Sequence, residues 1–279
     1  MSPVMPREAE MDLSDFRAIA TMVEREARIS LSPAKLSLVQ SRLARRLRSR
    51  QLPGFSQYVR LVEQDREERS AMIAALTTNH TSFFREAHHF DHLRSVVLPE
   101  WKARATAGRP VRIWSAGCSS GEEIYTIAMC LLGQDEREAG WLRGRDVRLL
   151  ATDISQPMVS AVERATYSAL AADSVPLAYR ATWMREEGGD LLMADLPRKL
   201  VSARVLNLFS EWPMRQRYDA IFCRNVMIYF DDASRQQLEL RLLQQLAPGG
   251  FLYIGHSERL TGPASQLARS CGQTIYVKD

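Results

Sequence analysis

The chain reads as an α/β protein, a doubly wound, mostly parallel sheet preceded by a small all-helical N-terminal domain. Three observations predict this. From Val111 onward, short apolar runs alternate with segments of helical period, the pattern of strand, helix, strand units. Two of those runs lie in Val111-Arg-Ile-Trp-Ser-Ala-Gly-Cys-Ser-Ser-Gly-Glu-Glu123 and Ile221-Phe-Cys-Arg-Asn-Val-Met-Ile-Tyr-Phe-Asp231. Each breaks into small or polar residues where a strand would end, as at the ligand-bearing carboxyl edge of an open parallel sheet. Between Ser14 and about Asn79, by contrast, the apolar residues recur at helical spacing with short connections.

In the helical part, Ser14 is placed to cap a helix through Glu24 and beyond, and Ser32-Pro33 pairs a cap with a first-turn proline. The next helix sets Leu36, Val39, Leu43 and Leu47 on one face, while Arg42, Arg45 and Arg46 share another with Arg48 and Arg50 close by. This basic face is either a solvated surface or a docking site for an acidic partner. Ser56 opens a helix through Val62, and Glu68 to Leu76 another. The segment Asn79-His-Thr-Ser-Phe-Phe-Arg-Glu-Ala-His-His-Phe90 has aromatics and hydrogen-bonding groups but no glycine or proline, so it should pack rather than link. A helix ends near Arg104. Strands follow at Val111–Ala116, Val147–Thr152, Arg204–Leu208, Tyr218–Cys223, Gly250–Gly255 and Thr274–Val277, with helices at Glu122–Leu132, Gln156–Arg164 and Ala233–Leu246. The last two strands lack a long helix between them, which favours an antiparallel edge. The helical domain is accordingly assigned to residues 12–86 and the sheet domain to 87–279.

The composition of the 279 residues, 46% hydrophobic and 25% charged, is that of a globular protein with room for two cores. No apolar stretch resembles a signal peptide or a membrane span, so the chain is expected in the cytoplasm, without direct membrane insertion. Cys118, Cys130, Cys223 and Cys271 form no Cys-x-x-Cys pair and the histidines add no ligand spacing, so reduced thiols and no metal are expected. The net charge of +4 is only mildly basic, and nothing demands more than a monomer.

At the first motif, Gly117 and Gly121 bracket a turn where backbone can approach a ligand at a helix amino end. The spacing matches neither the dinucleotide fingerprint nor a phosphate loop, and Glu122 and Glu123 would repel a phosphate. The following strand ends at Asp153, which can accept from both hydroxyls of a ribose or cap the next helix. A nucleoside without phosphates that carries amino or sulfonium charge describes S-adenosylmethionine.

With this, four segments resemble the bacterial chemotaxis receptor (methyl-accepting chemotaxis protein) methyltransferases of CheR type: Asn79-His-Thr-Ser-Phe-Phe-Arg85, Ser115-Ala-Gly-Cys-Ser-Ser-Gly-Glu-Glu123, Phe222-Cys-Arg-Asn-Val-Met-Ile-Tyr-Phe230 and Gly249-Gly-Phe-Leu-Tyr-Ile-Gly-His-Ser-Glu258. The resemblance covers nearly the whole chain and implies a helical domain on a Rossmann-like methyltransferase domain with a small antiparallel β insertion, here about 180–203. It implies protein-glutamate O-methylation: S-adenosylmethionine gives its methyl to glutamate side chains on chemoreceptor cytoplasmic helices, leaving S-adenosylhomocysteine. It also implies cofactor contacts from Asn79, Thr81 and Arg85, from Glu123 and Asp153 on the amino and ribose groups, from Asn207-Leu208 beside the adenine, and from Arg224-Asn225 below the reacting end near Tyr229. Gly117 joins them as the turn that admits the ligand. The fork of Arg85 suits the methionine carboxylate, whereas an ion pair with Glu86 or Asp91 is the alternative.

A glutamate with its ordinary pKa near ~4.3 is already ionised at neutral pH, so the reaction asks for no general base. Desolvation and in-line alignment remain, and Arg224, Asn225 and Tyr229 are the candidates for orienting the substrate carboxylate. His256, Trp114 and Trp183 read as structural residues. Receptor methylation regions are acidic and helical in this family, which makes Arg42, Arg45, Arg46 and Arg48 candidates for docking them, and the insertion a candidate for binding a receptor C-terminal tail peptide by strand addition. A nucleic-acid methyltransferase is the second reading, but the strand end Cys-Arg-Asn-Val lacks the motifs of base methylation, so no nucleic-acid partner is expected. A non-catalytic module sensing S-adenosylmethionine is the third.

Overall fold

The computed structural model describes residues 10–279 and divides them into two compact units. The first holds residues 10–78 together with Tyr229–Asp231. Its helices are α1 (Leu13–Ala27), α2 (Leu36–Ser49), α3 (Phe55–Gln64) and α4 (Arg66–Leu76). Asp12, not Ser14, caps α1 by accepting the Asp15 N–H at 2.7 Å, and the Ser14 hydroxyl donates to the same carboxylate. The Ser32 side chain makes no capping bond; a 3₁₀ turn over Pro33–Lys35, closed by the Lys35 N–H on the Ser32 carbonyl, leads into α2 instead. The spacing of three and four then buries Val39, Leu43 and Leu47 of α2 in a core with Phe16, Ile19, Tyr58, Val62 and Met72.

The basic face of α2 is divided between two uses. Arg46 makes a two-pronged pair with Glu68 (Nε to Oε1 2.8 Å, Nη2 to Oε2 2.5 Å), which Arg50 and the Tyr58 hydroxyl also join. The Glu68 side chain is fully buried, so this cluster satisfies a carboxylate that would otherwise be stranded. Arg42 donates to the carbonyls of Leu76 and Thr77 and to the Thr78 hydroxyl, capping the carboxyl end of α4. The expectation that Arg42 and Arg46 face a partner is therefore corrected; Arg45 and Arg48 are exposed.

The second unit comprises residues 79–228 and 232–279. Its elements are α5 (His88–His92), α6 (Leu98–Thr106), β1 (Val111–Ala116), α7 (Glu122–Leu132), β2 (Val147–Asp153), α8 (Gln156–Arg164), β3 (Thr166–Ser168), α9 (Leu177–Trp183), β4 (Met184–Glu187) and β5 (Asp190–Met193). After them come α10 (Asp195–Leu200), β6 (Val201–Val205), β7 (Tyr218–Cys223), α11 (Asp232–Gln245), β8 (Leu246–Ile254), β9 (Ala268–Gly272) and β10 (Ile275–Lys278). The main sheet has the order β6-β2-β1-β7-β8-β10-β9, parallel from β6 to β8 and antiparallel from β8 through β10 to β9. All of β7 is buried, as a central strand covered on both faces must be. The chain runs from β1 outward through β2 to β6 and then returns to the other side of β1, so the order reverses between β1 and β7. That reversal opens a crevice at their carboxyl ends.

Four expectations shift. The strand placed at 204–208 lies at Val201–Val205, which leaves Asn207 and Leu208 in the turn beyond its carboxyl end. Strand β9 was not foreseen. The inserted sheet, ordered β3-β5-β4, starts at Thr166 and ends at Met193 rather than spanning 180–203, because residues 201–203 already pair with β2. Its β4–β5 turn uses Gly188 (φ 63°) and Gly189 (φ 89°), the left-handed pair a two-residue hairpin needs. Finally, the boundary expected at 86 falls at 78, because residues 79–86 are fastened to the second unit: Phe83 packs edge-on against Tyr167 at 4.8 Å, and the Phe84 N–H bonds the Thr126 hydroxyl. Trp114 and Trp183 are buried, their indole N–H groups donating to the Thr152 hydroxyl and the Gly133 carbonyl.

Candidate active site at the carboxyl edge of the sheet

Beyond β1 the chain turns on Gly117 (φ 78°), whose N–H and that of Cys118 both donate to the Thr152 carbonyl. A Cβ on Gly117 would stand 2.5 Å from a methyl of Val226, so the glycine is required by contact as well as by φ. Ser119 (φ 50°) gives its N–H to Asp153 Oδ2 at 2.9 Å and its hydroxyl to the Asn79 carbonyl at 2.9 Å. Asp153 Oδ1 accepts the Ser155 N–H. Burial pushes the Asp153 carboxyl above its ordinary range, although the N–H groups of Ser155 and Ser119 pull the other way. Asp153 thus both closes the glycine turn and ends β2. The Tyr167 hydroxyl, from β3, donates to the Ser120 carbonyl at 3.0 Å.

Across the β1–β7 crevice lies a buried ion network. Glu123 accepts from the Ser115 hydroxyl at 2.7 Å and from Arg224 Nη1 at 3.0 Å. The other arm of Arg224 lies 3.3 Å from Glu86 Oε2 and donates to the Arg85 carbonyl, and the guanidinium covers the Phe90 ring at 5.4 Å. Only 2% of the Arg224 side chain is exposed. It is spent on holding residues 85–86 to the tip of β7, and the expectation that its guanidinium orients a substrate carboxylate directly is corrected. Glu86 also accepts from the His256 N–H and lies 3.0 Å from His256 Nδ1. Burial alone would raise the Glu86 pKa, but the charge of Arg224 and the His256 bonds outweigh it and bring it to about 2. Burial, aided by Arg224 and His88, lowers His89 to about 3. His89 is therefore neutral at pH 7.

The other residues singled out from sequence are placed as follows. Asn225 is half-buried at φ 58°, its Nδ2 3.4 Å from Glu86 Oε1. Arg85 is half-buried and donates to the His80 carbonyl, so it makes neither ion pair considered as its alternative. Thr81 lies half-buried between Asn79 and Arg85. Leu206 N–H bonds the Asp153 carbonyl, which sets Asn207 and Leu208 next to β2 at the same edge. Tyr229 ends a 3₁₀ turn begun at Met227 and is grouped with the first unit, where its carbonyl accepts the Ser30 N–H. Glu258 and Tyr167 have no role legible from sequence, and Glu86 figures there only as an alternative partner for Arg85. A carboxylate two residues past a Gly-His turn that closes an apolar strand, as Glu258 is, was the one available signal.

The sites on β6, β2, β1 and β7 thus share one edge, and comparison with known proteins gives that edge its chemistry. Residues 79–277 match the family model of the CheR methyltransferase S-adenosylmethionine-binding domain, and residues 14–77 that of the CheR all-alpha domain. The chain belongs to the CheR methyltransferase family. It is 40% identical over 261 residues to a probable chemotaxis protein methyltransferase of Rhizobium etli, covering 91% of this chain and 96% of that one. To chemotaxis protein methyltransferase 2 of Pseudomonas aeruginosa it is 37% identical over 267 residues, covering 94% and 92%. As a CheR methyltransferase it uses S-adenosylmethionine, and the donor set fits that cofactor. Carboxylates at Glu123 and Asp153 suit ammonium and hydroxyl donors, and the guanidinium of Arg85 suits a carboxylate. No helix among the described residues is long and apolar enough to cross a membrane.

Proposed function

We propose that this chain methylates glutamate side chains on the cytoplasmic helices of chemoreceptors, giving glutamate methyl esters and S-adenosylhomocysteine. The observation that carries this reading is the convergence of Asp153, Glu123, the Arg224 network and Asn225 on one sheet edge, in a chain whose relatives are named chemotaxis methyltransferases. Asn79, Thr81, Arg85, Gly117, Glu123, Asp153, Asn207 and Leu208 would hold the cofactor, which supplies an electrophilic methyl on a sulfonium. The chain's part is to strip water from an already ionised carboxylate and aim it. Asn225 would present the amide for that task and Tyr229 would be tested as a hydroxyl donor, while Arg224 anchors the β7 tip that carries Asn225. Exposed Arg45 and Arg48 on α2 would meet an acidic receptor helix, and the three-stranded sheet would take a receptor tail as an added strand.

The decisive experiment incubates the protein with methyl-labelled cofactor and receptor-rich membranes, then measures methanol released by base. Base-labile label in receptor is expected. Label that resists base would point to nitrogen methylation, and none at all to a sensing module. Asn225→Ala and Tyr229→Phe should each lower kcat by about tenfold or more; full turnover in both would remove their assigned role. Arg45→Glu should raise the receptor KM without altering S-adenosylhomocysteine affinity, and an unchanged KM would exclude docking through α2.

A further inference from the structure

The loop beyond β7 has an unusual support. Asn225 holds left-handed backbone (φ 58°), a conformation that needs to be imposed on a residue with a side chain. What imposes it is one carboxylate from the loop beyond β8. Glu258, 3% exposed, accepts the Asn225 N–H at 3.0 Å and the Gly255 N–H at 2.5 Å on Oε2, and the Met227 N–H at 2.8 Å on Oε1. Its own N–H returns to the Gly255 carbonyl at 2.9 Å. The carboxylate therefore stitches two strand tips together through main-chain donors on both sides. Gly255 completes the bracket: a Cβ there would stand 2.4 Å from Asn225 Nδ2 and 2.7 Å from its N, so only a glycine leaves the Asn225 side chain its place.

We propose that Glu258 is a positioning residue for methyl transfer, fixing with Gly255 the left-handed Asn225 so that its carboxamide stands at the β7 tip. Glu258 is buried against main chain and acts through Asn225. The proposal rests on the reading that Asn225 orients the substrate carboxylate, and the test separates the two.

Receptor methylation by Asn225→Ala, Glu258→Gln and the double variant is measured alongside S-adenosylhomocysteine affinity by calorimetry. In Glu258→Gln an NH₂ replaces one acceptor oxygen and meets a main-chain donor, so the bracket opens while shape is kept. The expected result is a kcat loss of about 10- to 100-fold, since a displacement near 1 Å at a reacting group has that effect, with cofactor affinity kept within about threefold. Because Glu258 acts through Asn225, the double variant should be no slower than Asn225→Ala alone. Gly255→Ala, which crowds Asn225 while leaving Glu258 intact, should reproduce the kcat loss. Full turnover in Glu258→Gln beside an impaired Asn225→Ala overturns the positioning role and spares the reading of Asn225. Multiplying losses in the double variant, or a kcat that falls only in step with thermal stability and cofactor affinity, overturns it too. Full turnover in Asn225→Ala removes the reading and the proposal together.

Discussion

Phe84, Glu86, Ser119 and Asn225 all carry side chains in left-handed backbone (φ 53°, 58°, 50° and 58°), and all lie in segments at the carboxyl edge of the sheet. Such conformations persist only where neighbours over-determine them. Here the neighbours are identifiable: the Thr126 hydroxyl for Phe84, Arg224 and His256 for Glu86, Asp153 for Ser119, and Glu258 for Asn225. The edge is thus preorganised by side-chain to main-chain bonds rather than by apolar packing alone. Gly117 is the sharpest single position, since alanine there meets both a positive φ and the Val226 methyl. Gly117→Ala should lower unfolding free energy by about 1–3 kcal/mol, measured by urea titration, and adding Val226→Ala should recover part of the loss. If it recovers none, the contact is not the cause.

Among the elements, α2 shows how far sequence periodicity reaches and where it stops. Its apolar face was legible because Val39, Leu43 and Leu47 recur at helical spacing within one window. Its basic face was not, because Arg46 is claimed by Glu68, 22 residues further on, and no local pattern announces a tertiary ion pair. Arg46→Glu should accordingly lower the melting temperature by several degrees whereas Arg45→Glu should not, a contrast a thermal scan decides. The same limit governs the site. The ends of β1, β2 and β7 could be read because apolar runs stop at Gly117, Asp153 and Arg224, but Glu86 and Glu258 could not, because what they bind is mostly main chain or distant charge. Strand β3 was invisible for another reason: three residues with one buried side chain give no alternation to count. Yet that side chain, Tyr167, carries the hydroxyl that holds Ser120. Tyr167→Phe keeps the ring against Phe83 and should weaken S-adenosylhomocysteine binding about two- to tenfold, the worth of one hydrogen bond, by calorimetry. Unaltered affinity would show that the inserted sheet does not support the cofactor turn.

For the molecule as a whole, buried titratable groups make stability depend on pH in a stated direction. His89, ordinarily near 6.5, is held to about 3, so between those values the unfolded chain binds a proton that the native one does not, and stability falls as pH falls. Glu86, ordinarily near 4.5 and held to about 2, adds to the fall below 4.5 by the same sign. Asp153 and Glu258, raised by burial, oppose it just above the ordinary carboxylate range. The melting temperature should therefore decline steadily from about pH 6.5 downward, and His89→Gln should flatten the upper part of that decline; an equal slope in both proteins would exclude His89 as its source. Residues 229–231 belong to the first unit, where Phe230 bridges Ile29, although residues on either side of them belong to the second. The backbone consequently passes between the units three times, and a cut after Thr78 separates neither. A truncated chain beginning at Asn79 would keep a tripeptide whose strand partner has been removed, leaving the half-buried Phe230 ring as a sticky end, so the two family domains are divisible on paper but woven in the polymer.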